Sequence, residues 1–253
     1  MADHSQMRLG RARSPFPKQA RRLMFAKYAA GLAPPPEKVD WTAGMSADFG
    51  VMANDRLGDC TAAGLGHMIQ VVTFANGKEI TLTDQEVVDF YSLSTGYNPA
   101  DPNTDQGGNE IAVLNCARAR GIAGHKLTAY VAIDPKDHVS IRQAVALFGG
   151  VYFGVDLPLT AQNQDVWHTA FGTPGAAPDS WGGHCVVGEA YDEAHCTLIT
   201  WGERKLCTWD WLSAYASEAY ALLWATEWAP GGGKAPSGWD AAALSADLAA
   251  VAA

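Results

Sequence analysis

The hydrophobic pattern of this chain changes period near Gly124, and that change limits the fold more than any other feature. Before it, apolar residues recur at helical spacing. Leu65, Met68, Ile69 and Val72 fall at i, i+3, i+4 and i+7, and predict a helix beginning at Asp59 or Cys60 and ended by Asn76-Gly77. "TDQE" offers Thr83 as a cap and Glu86 to close a capping box for a second helix with Val87, Val88 and Tyr91 inward. A third spans about Asn109 to Arg120 and buries Ile111, Leu114 and Ala117. After Gly124, "KLTAYVAI" and "VYFGVDL" read as strands flanking a helix near residues 138 to 148. "GGHCVVGEAY" and "HCTLITWG" read as a hairpin turning at "DEA", and "EAYALLW" closes the set. Helices first and strands second imply an α+β fold with two lobes, helical over about 39–123 and β-rich over about 124–228.

Flanking segments differ in composition. Residues 1–38 form a basic extension ending in the linker "APPPEK", and residues 229–253 are Gly/Pro-rich and then Ala-rich. Seven of the 18 Lys and Arg residues lie within the first 27 positions, which carry about +6. The remainder carries about −15. Such an arm is a solvated tail, or it binds nucleic acid, an acidic partner or its own body. With the C-terminal tail it could also hold neighbours in an assembly.

The five cysteines are few and odd in number, which does not fit a disulfide framework and points to a reducing compartment. No run has the length of a membrane span, and no apolar stretch follows the basic N-terminus as a secretory signal would. The expected location is therefore cytoplasmic or within a virion, with no membrane partner.

Cys60 follows a Gly-Asp turn at a helix start, where the partial positive charge of the helix favours a thiolate. A buried inert thiol is the plain alternative. His184 lies on a predicted strand and is structural or a base. "HC" occurs twice, at His184-Cys185 and His195-Cys196. Strand neighbours point to opposite faces and the spacing fits no common zinc motif. No metal or other cofactor is expected.

Six segments, in order, resemble papain-like cysteine peptidases over roughly residues 37 to 225: "PEKVDW", "NDRLGDC", "LTDQEVVDF", "DQGGNEIAVLNCARARGI", "GGHCVVGEAY" and "ITWG". The chain also looks like papain-like proteins carried by bacteriophages and prophages. The resemblance implies a two-lobe papain-like fold with the cleft between the lobes. It implies Cys60 as nucleophile, His184 as base and then acid, and Asn54 as an oxyanion donor in place of the family's Gln. Gly107 and Gly108 match the Gly-Gly that pairs with an extended peptide or protein substrate, and Trp201 would shield the histidine. Outside the resemblance, Asn54 reads as a turn residue, the two glycines as a loop before a helix, and Trp201 as core.

The chain also departs from the family pattern. Aligning on Trp201 puts Ile199 where the family has its third catalytic residue, Asn, and a one-residue shift offers Thr200. Leu57 and Asp105 stand where one family disulfide would be, and Phe90 at another bridging position. The extension looks short beside the family's inhibitory prosegments. Two readings follow. One is a cysteine-type peptidase or amidase with a degenerate third position. The other is a weakly active or inactive papain-like fold serving as a structural or interaction protein, such as a bacteriophage virion component.

Overall fold

The computed structural model describes residues 4–15, 24–224 and 246. In chain order the elements are β1 (Arg11–Ala12), α1 (Phe25–Tyr28), β2 (Val39–Asp40), α2 (Cys60–Ala75), α3 (Asp84–Thr95), β3 (Gly108–Asn109) and α4 (Glu110–Arg120). Then follow β4 (Leu127–Ala132), α5 (His138–Phe148), β5 (Val151–Leu157), β6 (Val166–Trp167), β7 (Gly182–Tyr191), β8 (His195–Thr200), β9 (Glu203–Thr208), α6 (Trp209–Tyr215) and β10 (Ala216–Trp224). Apart from residue 246, the expected C-terminal tail lies outside the described residues.

Local chemistry sets the helix limits. Thr83 and Glu86 form the capping box that starts α3, with Thr83 N donating to Glu86 Oε2 at 2.8 Å. Gly96, at φ 83°, ends it in the left-handed conformation that glycine adopts without a Cβ penalty. Asn109 Oδ1 accepts from Ala112 N at 3.0 Å and caps α4. Helix α2 differs from the one-face reading, because every residue from Cys60 to Thr73 is buried. It runs through the interior of its lobe, so its apolar residues occupy all sides.

One eight-stranded sheet is ordered β4-β10-β5-β7-β8-β9-β6, with β2 added to β7. Its pairs are antiparallel except β6 with β9. The closing strand β10 therefore sits between β4 and β5, within the sheet. Side chains alternate between two cores: Val151, Phe153 and Val155 of β5 join α1, α5 and α6, whereas Tyr152 joins α2, α3 and α4. A strand buried on both faces needs an unbroken apolar run, which is what "VYFGVDL" supplies. Each buried Val, Leu or Phe contributes roughly 1.5–3 kcal/mol.

This packing brings the start of α2 against β7. The result is the expected α+β arrangement, with a helical lobe against a β-rich one and a groove between them.

Candidate active site

Cys60 is the first residue of α2, where a backbone N–H has no acceptor within the helix. Its leading turn is held from outside. Gly58 N donates to both carboxylate oxygens of Asp105 at 3.1 Å, and Asp105 also accepts from Tyr91 Oη at 2.6 Å. The Asp105 carboxylate and the Gly58 amide thus join two loops beside the position where the papain-like pattern has a disulfide and this chain has Leu57 and Asp105. All five cysteines are free.

The Cys60 side chain is buried against the backbone of Cys185 and of Gly10. Burial pushes its thiol up to about 12, while hydrogen bonding from those backbones pulls the other way. His184 precedes Cys185 on β7 and is fully buried. Its Nε2 lies 2.8 Å from Thr200 Oγ1, and its ring stacks on Trp201 with centroids 4.4 Å apart and planes 19° apart. Nδ1 has no hydrogen-bond partner. Burial, and next the positive charges of His4 and Arg11, push the imidazole down to about 3. In this form thiol and imidazole are both neutral.

Thr200, not Ile199, reaches the imidazole. Ile199 is buried in the core beneath α2. Asn54 is 2% exposed and its amide donates to Leu57 O at 3.0 Å, bracing the turn before Cys60. Trp201 stacks on His184 and is buried in the core of the β-rich lobe.

Gly108 and Asn109 pair with an extended segment, the protein's own arm, and Gly107 N donates to Tyr91 Oη at 2.9 Å. β1 pairs with β3 in parallel, Arg11 opposite Gly108, and Gly108 N donates to Gly10 O at 2.7 Å. The approach is close enough to require glycine. A Cβ on Gly10 would lie 1.9 Å from Gly58 O, and one on Gly107 1.8 Å from Gly10 O. Farther along, Trp201 Nε1 donates to Arg8 O at 3.3 Å. The solvated-tail expectation therefore fails for residues 4–15, which lie on the body. Short as the extension is, it reaches the groove.

Arg11 anchors the arm. Its side chain has no exposure, and Nη1 donates to Asp156 Oδ1 at 2.9 Å. Nη2 donates to Glu218 Oε1 and to Ser217 Oγ, and Nε lies 3.8 Å from Glu110 Oε1. Sequence reasoning missed this constellation. The available signal was an acidic residue inside one apolar, buried run, Asp156, and at the head of two others, Glu110 and Glu218, since unpaired carboxylates are almost never buried. Among the described residues no cluster of His, Cys, Asp and Glu could hold a metal ion.

No family model matches this sequence, and no curated protein matches it. Solved structures do match in fold. Xylellain, a cysteine protease from Xylella fastidiosa, is 15% identical, with a TM-score of 0.56 over 86% of this chain and 96% of its own. Digestive procathepsin L 3 of the Tenebrio molitor larval midgut is 12% identical, with a TM-score of 0.61 over 87% of this chain and 77% of its own. The Carica candamarcensis cysteine protease CMS1MS2, in complex with E-64, is 14% identical, with a TM-score of 0.51 over 74% and 98%. The fold is that of papain-like cysteine proteases.

Proposed function

We propose that the protein is a papain-like cysteine peptidase or amidase whose arm keeps it latent. Cys60 is the nucleophile and His184 the base. Thr200 is a positioning residue that holds the ring with Nε2 toward its hydroxyl and leaves Nδ1 for the thiol. In the open form the thiolate attacks an amide carbonyl, and His184 passes the proton to the leaving amine. Water then hydrolyses the thioester. The Cys60 N–H at the helix start would receive the oxyanion, while the Asn54 amide, held by Leu57 O and Asp59, braces the turn that presents it.

The single observation that carries this reading is the 2.8 Å contact between Thr200 Oγ1 and Nε2 of His184, the residue before Cys185, whose backbone meets the Cys60 thiol. The contact supplies the partner that Ile199 cannot and leaves Nδ1 without one, free for a thiol. The contact therefore favours hydrolysis over the purely structural, virion-borne alternative. Latency is supported by the arm. It fills the Gly108 backbone site and turns hydrogen bonding from Gly10, rather than a carbonyl carbon, toward the thiol.

Substituting Gly10→Val forces the arm off the Gly58 backbone and removes no group from the groove. The full-length variant is expected to hydrolyse a mixed fluorogenic peptide pool at least tenfold faster than the parent. Adding Cys60→Ala should abolish that hydrolysis. Activity that survives Cys60→Ala contradicts the assignment.

A further inference from the structure

The space that holds the Arg11 side chain is built for a guanidinium and adjoins the groove lined by Gly10, Gly107 and Gly183. Gly10 lies against the thiol and Arg11, the next residue, fills the pocket, so the pocket is one residue removed from the site of attack. Three carboxylates surround it: the side chains of Glu110, Asp156 and Glu218 are 0%, 6% and 6% exposed. The Cys185 thiol lies against Glu110, and Tyr220 Oη holds Glu218 by its other oxygen at 2.8 Å. Gly154 forms one wall. A Cβ there would stand 2.5 Å from Arg11 Nε, so the glycine makes room for the planar group.

A neutral side chain in this space would leave the buried Asp156 and Glu218 carboxylates without the arginine's charge, which is costly. An ammonium ion would meet them as a point charge without the fork that reaches Asp156 and Glu218 together. Resting on the peptidase reading above, we infer that the enzyme prefers substrates with arginine immediately before the residue that acylates Cys60, the substrate running opposite to the arm, in which Arg11 follows Gly10. The pocket's carboxylates set this preference, and the arm occupies it by mimicking the preferred side chain.

The test compares acyl-Arg-Gly and acyl-Leu-Gly coumarylamides on the full-length Gly10→Val protein, with iodoacetamide alkylation of Cys60 measured in parallel. Arg11→Ala is a second route to the open groove should the first variant fold poorly. The expected kcat/KM for the arginyl substrate is at least tenfold higher than for the leucyl one. Glu218→Gln, added to the same background, should reduce that ratio below about threefold. A reactive thiol with equal turnover of both substrates overturns the pocket assignment and leaves the peptidase reading standing. An unreactive thiol with neither substrate cleaved overturns both. A ratio untouched by Glu218→Gln shows that the carboxylates only anchor the arm, and overturns the proposal.

Discussion

His184 and Thr200 are joined by a 2.8 Å contact between Nε2 and Oγ1, one strand apart in the sheet and under the ring of Trp201. A hydroxyl supplies the acceptor that Ile199 cannot. Because the threonine Oγ1 can accept from an imidazolium, the contact also supports the charged state needed during catalysis. Hydrogen bonds to charged groups contribute about 1.5–3 kcal/mol, or about 10- to 100-fold in rate. In the open Gly10→Val background, Thr200→Val is therefore predicted to lower kcat by that factor with KM little changed. Thr200→Ser should restore most of it. Steady-state kinetics on the three proteins checks this.

The arm supplies both charges that depress the His184 imidazole, His4 and Arg11, and it contributes to the burial that outweighs them. Releasing it removes both charges. The imidazole is predicted to move from about 3 toward the ordinary histidine value of 6.5 in Gly10→Val. Titration of the His184 ring by nitrogen-detected NMR in parent and variant measures the shift. Identical midpoints in the two proteins would count against the arm as the cause.

Gly107 is a second place to release the arm. It sits at φ 75°, where a side chain is strained by roughly 1–2 kcal/mol, and its Cβ would collide with Gly10 O. Gly107→Ala is predicted to expose the Arg11 peptide bond. Trypsin should cut after Arg11 at least tenfold faster than in the parent, as read by mass spectrometry.

Stability should decline with pH on the alkaline side of neutrality. Burial raises Asp59 to about 8 and raises Glu110 and Glu189 well above the usual carboxylate range, so the native state keeps protons that the unfolded chain releases above about pH 4.5. Those groups lose stability as pH rises. His67, lowered to about 4, His184, lowered to about 3, and His138, lowered as well, act oppositely, but only below 6.5. Between about 4.5 and 6.5 the two sets nearly cancel. From 6.5 to 8 only the acids remain, and unfolding free energy should fall. Asp59→Asn should flatten that fall by at most about 1.4 kcal/mol per pH unit. Urea melts across this range test the sign.

Much of the scaffold is legible in local chemistry. The Thr83-Glu86 box, the Asn76-Gly77 stop and the alternating strands are short-range signals, and each element stands where its pattern places it. The shift from Ile199 to Thr200 was also readable, because only a polar side chain can meet an imidazole nitrogen. Strand β9 and helix α6 went unread. "ERKLCT" is too polar to look like a strand, and "WDWLSAY" is too short to show a helical period. The arm was hidden for a different reason. Its place depends on Arg11 meeting Asp156 and Glu218, partners 145 and 207 residues away, and no local pattern encodes such a meeting.

The central claim is that Cys60 is a nucleophile that the arm keeps covered, and the most direct measurement is site-resolved alkylation by iodoacetamide at pH 7. The claim predicts slow labelling of Cys60 in the parent and at least tenfold faster labelling in Gly10→Val, with Cys196 and Cys207 unreactive in both. It further predicts that Gly10→Val with His184→Ala returns Cys60 to slow labelling. Cys60 labelling that is equal in parent and Gly10→Val, or that is indifferent to His184, would contradict it.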